Sequence, residues 1–250
     1  MSAINAKKII LVTLVLSALV SLVIVLQFSE RRRSSTSLAR RITEMSPGRS
    51  TPRTVEGLRQ SIARHEAQIA RHVRDAAQTG VYWKILGIRL ADGGMHRDAL
   101  AAFERAIDFN AEDPILFYLA GISAGIVAKS IIGISASVLD EREHFFRVAE
   151  TAHRRALELD SQYLRPMYAL GVLYAFDLNR PQEAIPLLET YLRAMPNDIP
   201  AMFILARAHF MTESFDRALE LYERIMTRTR DENVRRQAQI NRELVWEHMF

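Results

Sequence analysis

With 250 residues, 49% of them hydrophobic and none of them Cys, the chain can bury a sizeable core but cannot form disulfides, thiolate metal sites or a cysteine-linked lipid anchor. Gly and Pro number only 10 and 8, a balance that favours helices. The net charge of +4 hides an asymmetry, because residues 80–250 carry 20 Lys and Arg against 24 Asp and Glu while residues 30–53 carry seven Arg against two Glu; without a basic face on the globular part, nucleic acid is not an expected partner.

After a short tail, residues 1–8, comes an uncharged run at 9–28. Twenty helical residues span about 30 Å, the thickness of a bilayer's hydrocarbon core. The run exits through Arg31, Arg32 and Arg33 rather than through small residues at a cleavage site. It therefore reads as a transmembrane anchor and not as a cleaved signal peptide, which predicts a single-pass protein of a bacterial inner membrane. The arginines beyond the run place the remaining chain on the cytoplasmic side by the positive-inside rule. The alternative keeps only Lys7 and Lys8 inside and exports the rest. Residues 29–53 contain Arg, Ser, Thr and Pro with few large apolar side chains, the composition of a flexible tether.

Pro52 suits a helix start, and Val55, Leu58, Ile62, His65, Ile69, His72, Val73 and Ala76 then mark one helical face. The expected lead-in helix covers 54–79 and closes at Gly80. Its heptad-like seam allows it to cap the neighbouring helices or to pair with a second copy as a coiled coil. Two histidines on the seam favour capping.

Residues 80–230 read as four helix pairs. In the first, Trp83, Leu86, Gly87 and Leu90 lie on the first helix, Gly94 in the turn, and Ala99, Phe103 and Ala106 on the second helix. The second pair has Phe117, Ala120, Gly121 and Ala124, then Ala149, His153 and Ala156; His153 stands where a large apolar residue is usual. The third has Met167, Leu170, Gly171 and Tyr174, then Ala184, Leu188 and Pro196, with Asn179 read as the cap of its second helix. The fourth has Met202, Leu205, Ala206 and His209, then Phe215, Ala218 and Tyr222. From Ala184 to Ala218 is 34 residues, from Ala149 to Ala184 is 35, and from Ala99 to Ala149 is 50. The second pair thus carries an insertion at about 128–143. The apolar stretch 115–139 is long enough for a second membrane span, but its Gly, Ser and Ala content and Lys129 argue instead for a long helix to about Lys129 followed by a loop. Residues 231–250 read as a C-terminal capping helix, with Trp246 packed beneath it.

This pattern resembles the tetratricopeptide repeat, a 34-residue helix pair. The resemblance implies an all-α, tetratricopeptide-type α-solenoid of about four helix pairs plus capping helices, here preceded by a transmembrane helix. The whole arrangement is similar to membrane-anchored tetratricopeptide proteins of spirochaetes. The resemblance further implies a scaffold or adaptor that binds a protein or peptide partner in a groove lined by first helices. Lys84, Arg89, Tyr118, Arg165, Tyr174, Arg207 and Phe210 are the candidate contacts. The alternative is a self-associating assembly component, a homo-oligomer. No glycine-rich phosphate loop, serine elbow or paired-histidine motif occurs in the sequence, so no enzyme activity, cofactor or metal is expected.

Overall fold

In the computed structural model, residues 54–249 are described, and among them all regular structure is helical. The elements in order are α1 (Val55–Asp92), α2 (His96–Phe109), α3 (Pro114–Ser130), α4 (Ala136–Leu159), α5 (Leu164–Val172), a π-helical turn (Leu173–Asp177), α6 (Pro181–Ala194), α7 (Ile199–Met211), α8 (Phe215–Arg228) and α9 (Glu232–Met249). The chain divides into two units, residues 1–67 and 68–250. The repeat residues from Gly80 onward all belong to the second. Of the first, residues 54–67 are described, and Val55, Leu58 and Ile62 on them are exposed.

The pairs are set by close approach of a small residue on the first helix to a large one on the second. A Cβ placed on Gly87 would lie 2.5 Å from the Phe103 ring, one on Gly121 2.6 Å from the His153 ring, and one on Gly171 2.8 Å from Leu188. Ala99, Ala149, Ala184 and Ala218 are all wholly buried on the facing helices. Local chemistry starts the helices. Asp113 accepts from the Ile115 amide at 2.9 Å, and Asp198 from the Ala201 amide at 2.9 Å. Each is followed by a proline in the first turn. The turns inside three pairs use a left-handed residue at matching places: Gly94 at φ 76°, Asn179 at 52° and Glu213 at 59°. Asn179 is therefore the turn residue and not the cap; Arg180 occupies the cap position, without a side-chain hydrogen bond.

Several expectations need correction. Gly80 does not end a lead-in helix, because α1 runs unbroken through it to Asp92. Its role is packing, as a Cβ there would come 2.7 Å from the Phe109 Cβ. Nor does the α1 seam act as a buried cap: Ile69 and Val73 are 61% and 62% exposed. Trp246 does not lie beneath α9, being 57% exposed, while Ala238 and Val245 form that helix's buried face. The expected single-pass membrane localisation is overturned for the described residues, none of whose helices is long and apolar enough to cross a membrane. The longest, α1, carries charges along its length, and the most apolar, α3, has only 17 residues. The segment 9–28 assigned as the anchor lies outside the described residues, as do the tail at 1–8 and the tether at 29–53.

The extra residues of the second pair lengthen its helices. α3 continues to Ser130, residues 131–135 form the connection, and α4 has 24 residues where α2, α6 and α8 have 14 each. Arg97 of α2 holds this extension, bridging Glu141 at 2.9 Å and lying 4.8 Å over the Phe145 ring. The single extra residue of the third pair is absorbed in the π-helical turn.

Close approach at the glycines gives a direct test. Gly87→Ala should destabilise the fold by about 1–3 kcal/mol, because the added methyl drives into the Phe103 ring. A urea midpoint equal to that of the wild type would show that this contact does not set the packing.

Candidate functional site

A groove of about 790 Å³ opens between α3 and α5. Tyr118, Ile122 and Ile126 line it from α3, and Arg165, Tyr168 and Val172 from α5. Its floor includes Ala149 and His153 of α4, and Tyr163, Tyr191 and Met195 border it. At one end Lys129 bridges Asp177 at 3.0 Å across the two helices. Asp177 belongs to the π-helical turn, so the irregular turn supplies half of that bridge.

Aromatic rings organise the walls. Tyr118 lies 5.5 Å from Tyr163 edge-on and 5.9 Å from His153, and Tyr168 lies 5.2 Å from Tyr191. Such spacings are favourable for ring pairs. Tyr191 donates to Asp198 at 2.7 Å, the carboxylate that also caps α7. Burial raises the Tyr168 phenol, and burial with the Asp198 contact pushes Tyr191 up to about 12. Burial also raises Tyr163, against the opposing pull of Arg165. These hydroxyls are therefore neutral near pH 7. His153 is 3% exposed, and desolvation lowers it to about 4; it too is neutral. Its Nδ1 is buried without a hydrogen-bond partner.

The seven sequence-derived candidates separate into groups. Tyr118 and Arg165 meet in this groove. Arg207 and Phe210 meet in a second cavity of about 400 Å³, with Phe176, Phe203, Tyr222 and residues of α9. Arg207 lies 4.8 Å over the Phe176 ring there. Lys84 is tied to Asp113 at 2.7 Å, and Asp113 also caps α3, so the ammonium serves the joint between pairs. Arg89 is exposed and lines neither cavity. Tyr174 is not a groove residue: it is 2% exposed, donates to Glu150 at 2.9 Å and accepts from Arg154 Nε at 2.8 Å. Arg180 covers its ring at 4.6 Å and bridges Glu150.

Position within the repeat is the signal that finds the remaining groove residues. Tyr168 stands three residues before Gly171, as Tyr118 stands three before Gly121 and Phe203 three before Ala206. Tyr174 stands three after its glycine, where the other pairs carry the core residues Leu90, Ala124 and His209. Among the described residues no cluster of three or more His, Asp or Glu could hold a metal ion. The arrangement offers apolar surface and neutral hydrogen-bonding groups, the chemistry of binding a side chain.

Two family models described as tetratricopeptide repeat match residues 139–199 and 175–239. Among solved structures, YrrB, described as a TPR protein with an unusual peptide-binding site, is 16% identical over 72% of this chain and 82% of its own, with a TM-score of 0.57. MamA from residue 41 onward, of Desulfovibrio magneticus RS-1, is 16% identical over 68% of this chain and 94% of its own, with a TM-score of 0.51. MamA AMB-1 is 21% identical over 68% and 82%, with a TM-score of 0.53. At these identities the likeness is one of fold. No curated protein matches the chain. Tetratricopeptide repeats are thus matched over residues 139–239, and the helix pair before them follows the same close-approach packing.

His153 makes stability depend on pH with a defined sign. Its folded pKa of about 4 lies below the ordinary 6.5, so on acidification the unfolded chain takes up the proton first. The contribution is complete above pH 6.5 and is lost as pH falls towards 4, by about 3 kcal/mol in total. His209 is lowered in the same direction by burial, so His153→Phe should flatten the profile only in part. Urea unfolding between pH 7.5 and 4 measures it; identical profiles for the two proteins would refute the assignment.

Proposed function

We propose that this chain is an interaction scaffold that binds a segment of a partner protein in the groove between α3 and α5. The observation that carries the reading is the lining itself, in which Tyr118, Tyr163, Tyr168 and Tyr191 surround an open, largely apolar space. Tyrosine is enriched at binding surfaces because it offers large contact area with one polar tip and few rotatable bonds. The volume suits one or two partner side chains. YrrB, whose fold is similar, is described as having a peptide-binding site, which supports a peptide as the occupant. The role is binding rather than catalysis.

Selection of random displayed peptides against the chain tests this. Tyr118→Ala and Tyr168→Ala should each weaken the selected peptides by about tenfold or more. Arg155→Ala, on the opposite side of α4 near Phe117, should leave them unchanged. Peptides that bind the two tyrosine variants as tightly as the wild type would sink the groove reading.

A second reading has its own observation. Val55, Leu58, Ile62, Ile69 and Val73 recur at heptad-like spacing on α1 and are 43–68% exposed, as a helix awaiting a copy of itself would be. On this reading residues 50–250 form a dimer through α1. Light scattering across micromolar concentrations should give twice the monomer mass, and Ile62→Glu with Ile69→Glu should halve it. A monomer throughout would rule the reading out.

A further inference from the structure

One apolar stripe runs along α1, and α2 shows what covers its C-terminal part. Ile69, Val73, Ala76, Gly80, Trp83 and Gly87 follow one another at steps of four and three, the spacing of a single helical face. From Gly80 onward α2 lies on that face. A Cβ on Gly80 would come 2.7 Å from the Phe109 Cβ, and one on Gly87 2.5 Å from the Phe103 ring. Phe109 ends α2 and meets the earlier glycine, so α2 runs antiparallel to α1. Before Gly80 the cover stops, and Val73 and Ile69 are exposed. The free part of the stripe thus continues an interface that a helix already fills beyond it.

The uncovered residues complement themselves when read in opposite directions. In two antiparallel copies overlapped over residues 55–79, Leu58 faces Ala76, Ile62 faces His72 and His65 faces Ile69. By the two-fold relation each of these layers occurs twice. Val55 meets Thr79 at the ends, where the Thr79 hydroxyl already donates to the Asp75 carbonyl at 2.8 Å and needs no partner across the seam. Every layer sets a larger aliphatic side chain against a smaller or more polar one. A parallel pair would instead set His65 on His65 and His72 on His72, and would leave Ala76 opposite Ala76. It would also carry the partner helix along the stripe into the place that α2 holds from Gly80. An antiparallel partner stops short of it, with its Val55 beside Thr79. The shared contact, residues 55–79, is about 37 Å long.

We propose that two copies of this chain pair antiparallel through residues 55–79 of α1, each helix continuing along the other the line that α2 follows within its own chain. The inference rests on the dimer reading and specifies its direction and its residue pairing. The occupant of the stripe is a second copy because the same residues supply both the large and the small member of every layer.

The native chain has no Cys, so introduced thiols report the pairing directly. Leu58→Cys and Ala76→Cys are made singly and together in the full chain, oxidised with glutathione disulfide and read on a non-reducing gel. A disulfide needs Cα atoms within about 7 Å, and the two copies of position 58 lie roughly 27 Å apart along an antiparallel pair. The double variant should therefore convert most of the chain to doubled mass, and neither single variant should crosslink. A second arm puts opposite charges into one layer. Ile62→Glu and His72→Lys should each weaken dimerisation by about tenfold or more, and the two together should dimerise more tightly than either alone. Crosslinking of either single thiol variant, no crosslinking of the double, or a Glu–Lys variant weaker than both of its parents overturns the antiparallel pairing and leaves a dimer through α1 standing. Monomer mass in light scattering at every micromolar concentration removes the dimer and the pairing together.

Discussion

The whole repeat stack depends on one steric constraint: the first helix of each pair must present almost nothing where the second presents its bulk. Gly87, Gly121 and Gly171 would each bring a Cβ within 2.8 Å of a ring or branched side chain on the facing helix. Contacts of this kind fix the separation and the crossing of two helices at once, since no alternative side-chain packing fits the same gap. Everything else is positioned by them. The buried alanines 99, 149, 184 and 218 keep the second helices close, and the aspartate caps at 113 and 198 fix where the next pair starts. Stacked pairs then leave grooves between successive first helices, and the space between α3 and α5 is one of them.

Two polar clusters show how the pairs are joined where that packing is less regular. On one side, Tyr174 is held by Glu150 and Arg154 and covered by Arg180. Every polar group named there has a partner, so burying the phenol is compensated. On the other side, the Lys129–Asp177 bridge closes the end of the groove. His153 lies close to the first cluster on the same helix but shares none of its compensation.

Most of the fold was legible in the sequence because its information is periodic. The recurring alanines, 35 and 34 residues apart over the last two intervals, and the small residue that recurs on each first helix depend only on helix geometry. The helix ends were less legible. Gly80 looks like a terminator by composition, yet it is a close-approach residue against Phe109; glycine serves both purposes, and only the facing helix decides between them. The α1 seam was expected to be covered because it is apolar, and nothing in its spacing distinguishes a covered face from an exposed one. Within the groove, Tyr118 and Arg165 were found and Tyr168 was not. Tyr174 stands out in the sequence for its aromatic character, but its offset from Gly171 determines which way the helical side chain points. His153 was recognisable only as an exception to the pattern, since its missing partner is a property of three helices together.

The π-helical turn at Leu173–Asp177 turns a change of length into a change of direction. One residue added to an α-helix rotates the rest of that helix by roughly 100°, and a widened turn takes up that rotation before the next helix begins. The glycine-set packing on either side is left undisturbed. A repeat of this build can therefore take up one more residue between its two helices without rebuilding its core. Asp177, facing Lys129 from within that turn, marks a place where such a shift would register first.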